Sequence, residues 1–489
     1  MAKVSMKTTS DAILKNTARR CRELGIVVPT FAQMREPLVA DSLLEQRLGK
    51  TGLSDLDPVN LFRITWKNEP VTEGGGFNGG NWIEFPSEMT GVPARIVGII
   101  GKHFPTGSHK VGAAFGCLVP RLISGQFDPT EHKAVWPSTG NFCRGGVFVG
   151  SLLGCQSVAV LPEEMSSERF RWLESAGAEI ISTPGGESNV KEIYDEVGVI
   201  RDTRPECVIF NQFEEFGNAV WHYHVTGALV DEIFDHIAAP TDRLAAFVSA
   251  TGSAGTLATG DYLRTLHSSL RVVAVEALQC PTLLRCGFGE HRVEGIGDKH
   301  IPWIHNTRNT DTVVAVDDEQ CLALMRLFAE PVGRNYLLSQ GIPSGLVESL
   351  QLLGISSICN LVAAVKTARY FELDSGDVLF TPLTDSMDLY GSRVAERRRI
   401  HGPYGELLAA ADFARHLQGT GTDNMRELGY HDRKALHNLK YFTWIEQQGR
   451  DVDDLERLWN PDFWSEMYAT VDEWDRQIVD FNARVGVTQ

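Results

Sequence analysis

The sequence predicts an α/β fold of open, mostly parallel sheets flanked by helices. From about residue 93, apolar β-branched runs alternate with helical stretches, the pattern of strands joined by crossover helices. Three loops of small and hydroxyl residues follow such runs, at the carboxyl ends of strands where parallel sheets hold ligands. A chain of 489 residues that is 43% hydrophobic has ample material for a core. Its length suits about three domains, or two lobes sharing one site.

Composition narrows the function. Lysine and arginine number 46 against 63 aspartates and glutamates, for a formal charge of −17, which argues against a nucleic-acid partner. The nine cysteines (21, 117, 143, 155, 207, 280, 286, 321 and 359) show no Cys-x-x-Cys spacing. A reduced, cytoplasmic protein without structural zinc is expected. His222 and His224 fall on different sides of a predicted helix, so no metal is assigned. The longest apolar region, Gly145 to Leu161, is interrupted by Ser151, Gly154, Gln156 and Ser157 and reads as a buried helix and strand, so no membrane partner is expected.

Taken in order, the chain opens with a helical arm, residues 1–65. Its basic stretch, Lys15, Arg19, Arg20 and Arg22, lacks an apolar signal core, and Ser10 is placed to cap an amphipathic helix. Gly74 to Gly80 is a flexible connection with no assigned ligand. Strands are expected at Arg95 to Ile100, Ser157 to Leu161, Glu179 to Ser182, Val208 to Phe210, Ala245 to Ser249 and Val272 to Val275.

The turn Phe104-Pro105-Thr106-Gly107-Ser108-His109 delivers Lys110 to the start of an apolar helix marked by Val111, Ala114, Phe115, Leu118 and Leu122. A cation there is disfavoured by the helix dipole, which favours the neutral, nucleophilic amine that Schiff-base chemistry needs, although a lysine in a first turn can also be merely solvated. Ser138, Thr139, Gly140 and Asn141 open another helix; they either hold a carboxylate or merely cap it. Gly252, Ser253, Ala254, Gly255 and Thr256 form a small-residue turn between strand and helix, suited to a phosphate, without the Walker or dinucleotide spacing. Ser386, in the loop after Val378 to Phe380, is a hydroxyl able to meet a neutral ring nitrogen, although an ordinary turn has the same composition. Lysine, phosphate turn, carboxylate loop and hydroxyl together describe a pyridoxal phosphate site.

With these pieces in place, residues 93–395 resemble the cysteine synthase and cystathionine β-synthase family of fold-type II pyridoxal phosphate enzymes. The resemblance rests on the Pro-Thr-Gly-Ser-x-Lys turn, Asn211-Gln212-Phe213-Glu214, Thr226-Gly227, Val293-Glu294-Gly295-Ile296-Gly297, Gly354-Ile355-Ser356-Ser357 and Asp385-Ser386. It implies that Lys110 forms the Schiff base with pyridoxal 5'-phosphate, that Asn141 bonds the cofactor's 3′-oxygen, that residues 252–256 hold its phosphate and that Ser386 meets the ring nitrogen. It also implies that Ser138, Thr139 and Gln212 face the substrate carboxylate and that Gly295 lies near the amino acid. The implied domains are a large cofactor-binding domain of residues 66–103 and 216–395, a small mobile substrate domain of residues 104–215 and a helical C-terminal extension of residues 396–489. A homodimer is implied as well.

Departures from the family pattern accompany the matches. Phe142 stands where the family has threonine, Ser253 and Ala254 replace two members of the phosphate loop, and Arg144 occupies a position usually small or apolar. A cation in the first turn of a helix opposes the dipole, so Arg144 is expected to meet a neighbouring acid, to be an exposed and solvated guanidinium, or to pair with a second acidic group on the substrate in a pocket shaped by Phe142. The stripe Trp464, Tyr468, Val471, Trp474, Ile478 and Phe481 is expected to pack within the subunit or across a dimer.

The implied activity is β-elimination or β-replacement on a β-substituted α-amino acid through an aminoacrylate, a lyase or transferase of amino-acid metabolism. The alternatives are a dehydratase or ammonia-lyase acting on a hydroxy- or diamino-acid, and a non-catalytic subunit that keeps the fold to bind a partner.

Overall fold

The structure is a computed structural model that describes residues 10–37, 42–138, 140–165, 167–186, 190–297 and 299–487. Eleven strands form two sheets: β1 (Trp82–Phe85), β2 (Arg95–Ile100), β3 (Lys133–Pro137), β4 (Gln156–Pro162), β5 (Glu179–Thr183), β6 (Cys207–Ile209), β7 (Arg243–Ala250), β8 (Arg271–Ala277), β9 (Thr312–Val316), β10 (Asp377–Leu383) and β11 (Met425–Glu427). The larger sheet runs β1-β2-β10-β7-β8-β9-β11 and the smaller β5-β4-β3-β6.

The smaller sheet is parallel throughout. In the larger one only the two edge pairings, β1 with β2 and β11 with β9, are antiparallel. Every residue of β9 and β10 is buried, as strands covered on both faces by crossover helices must be. The edge strand β1 instead alternates half-buried and buried.

The six strands expected from the sequence all form. The helical C-terminal extension also contributes one short strand, Met425 to Glu427, which pairs along β9 from Thr312 to Val314. An exposed sheet edge offers unpaired N–H and C=O groups to any passing segment, which a strand of Met-Arg-Glu does not advertise in its own pattern. The aromatic stripe is buried within the chain, on two helices, Pro461–Tyr468 and Val471–Val485; Trp474 packs on Phe31 of the N-terminal arm at 5.6 Å between ring centres. Ser10 caps its helix, accepting from the N–H of Ile13. Among the described residues no single helix is long and apolar enough to cross a membrane.

The helix Lys110–Ile123 crosses the helix Phe216–Trp221 at two glycines whose backbones touch. A Cβ on Gly217 would stand 1.9 Å from the Gly116 carbonyl oxygen, and one on Gly112 would stand 2.2 Å from the Trp221 ring. Such an approach is open only to glycine. Gly217→Ala is therefore expected to lower stability by about 1–3 kcal/mol, as overpacked cores do, read as a lower urea midpoint at unchanged m-value. A wild-type midpoint would contradict the contact.

Candidate active site

Lys110 is the first residue of its helix, behind His109, as the sequence predicts. Its Nζ donates to Gln212 Oε1 at 3.2 Å and to Ser253 Oγ at 3.3 Å, joining the loops that follow β6 and β7. Around it, Ser138, Asn141, Phe142, Gln212, Phe213, Gly252, Gly295, Ile296 and Gly297 line a narrow cavity. All lie beyond the carboxyl ends of strands from both sheets.

In the loop after β3, Gln212 Nε2 donates to Ser138 Oγ at 3.2 Å, as does the Gly140 N–H. Ser138, Gln212 and Lys110 thus form one hydrogen-bonded row. Thr139, expected beside them, lies outside the described residues. A Cβ on Gly140 would meet the Arg169 side chain at 2.3 Å, so the bare glycine lets a guanidinium press against this loop. Arg169 is ion-paired with Glu294, the neighbour of Gly295, and Glu294 also holds Arg393 at 2.6 Å.

The loop after β7 leaves the N–H groups of Gly252, Ser253 and Ala254 without a hydrogen bond to any described residue. Ala254 takes a left-handed conformation at φ 62°, which wraps the turn before Gly255–Leu257 and the helix Ala258–Leu266. A Cβ on Gly255 would stand 2.1 Å from Asn218, and one on Gly252 would stand 2.9 Å from the Gly295 carbonyl, so both close approaches need glycine. Thr256 shares a hydrogen bond of 2.6 Å with Ser249, which pins the end of the turn.

Beneath the turn sits Asn218, fully buried, whose Nδ2 donates to Ser253 Oγ at 2.9 Å and to the Gln212 carbonyl at 3.1 Å. Asn218 is a residue that motif reading passes over. Its partner Ser253 is far away in sequence, and nothing local on its helix marks it.

After β10, Ser386 is buried in extended backbone. The preceding Asp385 is fully buried and accepts from Asn141 Nδ2 at 2.6 Å and Tyr390 OH at 2.9 Å. Burial raises the Asp385 carboxyl above the usual range, against the opposing pull of Arg169 and these two donors. Asn141 Oδ1 has no hydrogen-bond partner among the described residues.

Pyridoxal phosphate fits this arrangement. Three unpaired N–H groups on a left-handed turn make a phosphate cradle, the orphaned Asn141 Oδ1 is an open polar contact at the cavity wall, and Lys110 supplies the amine.

Arg144 falls in the first turns of the helix Asn141–Leu152 and lies outside the residues that line the cavity. Its buried guanidinium donates through Nη2 to the Thr106 carbonyl at 2.9 Å and lies 5.2 Å from the Trp172 ring centre. Thr106 is the left-handed residue, φ 64°, of the turn before Lys110, so Arg144 braces that turn. Burial lowers the Arg144 pKa to about 10, well short of discharging it at neutral pH. His222 and His224 diverge, to Thr226 Oγ1 and to the Tyr468 carbonyl. Phe213, Ile296 and Gly297 also belong to the wall; the sequence motifs contain them, but their small and apolar character gave no chemical reason to choose them.

Comparison with known proteins agrees with this geometry. Residues 102–336 match the family model described as pyridoxal-phosphate dependent enzyme. A cysteine synthase from Staphylococcus aureus is 29% identical over 293 residues, 58% of this chain and 84% of that one. A cystathionine beta-synthase from Saccharomyces cerevisiae is 25% identical over 387 residues, 75% of this chain and 71% of that one. Among solved structures, a cysteine synthase from Entamoeba histolytica superposes with a TM-score of 0.56 at 19% identity, covering 68% of this chain and 92% of that one.

Two outcomes are expected. Asn218→Ala removes the bond from Asn218 to Ser253 on the phosphate turn, worth about 0.5–1.5 kcal/mol, and should raise the cofactor's dissociation constant about two- to twelve-fold in an absorbance titration. Unchanged affinity would contradict its role. His109 is buried between Trp66 and His222, and burial, aided by the neighbouring Lys110 charge, pushes its pKa down to about 3. The unfolded chain therefore takes up a proton near pH 6.5 that the folded chain refuses. Stability should be full above that pH and fall below it by roughly 1.4 kcal/mol per unit from this residue. His109→Asn should flatten that slope in denaturation curves at pH 6 and pH 4; an unaltered slope would show that His109 is not held neutral.

Proposed function

Because the chain belongs to the cysteine synthase and cystathionine β-synthase family of fold-type II pyridoxal phosphate-dependent enzymes, we propose that it catalyses β-elimination or β-replacement on a β-substituted α-amino acid. The observation that carries this reading is the position of the Lys110 amine, bonded at once to Gln212 on the expected carboxylate row and to Ser253 on the phosphate cradle.

When bound, pyridoxal phosphate supplies the electron sink that lets the Cα–H bond of an amino acid break. Ser138 and Gln212 already present a hydroxyl and an amide N–H at the cavity, and a substrate carboxylate takes the place of their mutual hydrogen bond. That fixes the amino acid with its Cα over Lys110. Lys110 Nζ, which donates to Gln212 Oε1 and Ser253 Oγ, then takes the α-proton. Phe142, Phe213 and Ile296 form the apolar part of the wall and keep water from the reacting carbon. By the resemblance, Ser386 would offer the ring nitrogen a neutral hydroxyl, which would leave it unprotonated and favour loss of the β-substituent over transfer of the amino group.

The remaining assignments belong to the same proposal. All nine cysteines are free thiols, which suits a reducing, cytoplasmic compartment. The homodimer follows from the resemblance and is measured by light scattering.

The decisive assay incubates purified holoenzyme with β-substituted amino acids, with and without a thiol acceptor. It should yield keto acid and ammonia, or the replaced amino acid when an acceptor is present. Turnover of hydroxy- or diamino-acids alone would favour the dehydratase or ammonia-lyase, and no turnover of any amino acid would overturn the proposal. Ser386→Ala should keep the cofactor and lose about 0.5–1.5 kcal/mol of catalysis. Ser386→Asp should be worse, because a carboxylate draws a proton onto the ring; equal activity would misplace the ring nitrogen.

A further inference from the structure

We propose that the C-terminal extension is a working part of the substrate site: Lys440, Trp444 and Arg450 are positioning residues for the two pocket loops that carry Gly295 and Gln212.

The long loop between β8 and β9 reaches the cavity at Gly295, Ile296 and Gly297 and then returns through the buried stretch Ile301 to His305. At the cavity the Gly297 N–H donates to the Thr251 carbonyl at 2.9 Å. The returning stretch points three alternate carbonyls at the extension. Trp444 Nε1 donates to the Ile301 carbonyl at 2.8 Å, and Lys440 Nζ donates to the carbonyls of Trp303 and His305 at 2.9 and 2.7 Å.

Lys440 is fully buried and has no carboxylate partner among the described residues. A core position filled for packing alone would carry an apolar side chain, since burying an amine without an acid is costly. Nζ is held by the two carbonyls, and burial lowers the Lys440 pKa well below the ordinary range. Lysine is retained here because those carbonyls need donors.

The same segment holds the second loop. Arg450 ion-pairs with Glu214, two residues from Gln212, and its guanidinium lies 4.9 Å from the Trp303 ring centre. The two loops are themselves joined by the Ile304 N–H donating to the Phe213 carbonyl at 3.2 Å. On the far side, His300 meets Tyr194 OH at 3.1 Å, on the helix Val190–Thr203 that covers the smaller sheet. The extension thus fixes, through one short run of its residues, both walls between which the amino acid enters.

Lys440→Met and Trp444→Phe remove the donors and keep the bulk. Trp444→Phe, which loses one hydrogen bond, should speed hydrogen exchange of residues 299–305 about two- to twelve-fold, and Lys440→Met, which loses two, about five- to 150-fold. Each should also raise KM for the amino acid while cofactor absorbance and kcat stay near wild type. Trp464→Phe is the control, since Trp464 Nε1 bonds the Leu458 carbonyl inside the extension; it should lower Tm and leave KM and the exchange of 299–305 unchanged. The kinetic arm rests on the reaction proposed above, whereas the exchange arm needs no turnover, so the two failures are distinguishable. Unchanged exchange in both variants, faster exchange with an unmoved KM, or an equal KM effect from Trp464→Phe would overturn the proposal, and Trp444→Phe decides it if Lys440→Met fails to fold.

Discussion

The geometry of the site depends on backbone contact between helices that have no side chains in the way. Gly116 and Gly217 bring the helix of Lys110 against the helix of Asn218, and Gly145, whose Cβ would lie 3.0 Å from the Lys110 backbone, brings in the helix that starts at Asn141. Three helices therefore meet with little freedom to slide, because interiors are close-packed and any added methyl group must displace backbone. Lys110 and Asn218 reach Ser253 from two of those helices, and Asn141 reaches Asp385 from the third. The distance from amine to phosphate cradle is thus a property of helix packing, not of the loops alone.

This explains which parts of the site the sequence made legible. Lys110, Ser138, Asn141 and Gly252 each follow a strand and precede a helix, so their chemistry and their place in a parallel sheet are written within a few residues. Asn218 and Arg169 act on residues distant in the chain, Ser253 and Glu294, and only the folded helices join them. Arg144 shows a third case. Helix-dipole reasoning correctly marked it as needing a partner, but the partner is the carbonyl of Thr106, a backbone group that no pattern of charged residues reveals. In the fold, strands with continuous apolar runs were readable, while β11, with Met-Arg-Glu, takes its shape from the edge of β9.

The terminal segments belong to the fold. The N-terminal arm packs on the C-terminal helices through Phe31 and Trp474, and the Asp475 carboxylate accepts the N–H groups of Phe31 and Ala32. Together they form a hydrophobic layer continuous with the core behind Lys110. The family model matches residues 102–336, whereas the extension sends polar contacts to the loops that carry Gly295 and Gln212.

The central claim is that Lys110 is the residue that carries the cofactor. Borohydride reduction of the holoenzyme followed by peptide mapping measures this directly. The account predicts a single pyridoxyl label on the peptide containing Lys110, lost in Lys110→Ala; a label on another lysine, or no label on a protein that binds the cofactor, would contradict it.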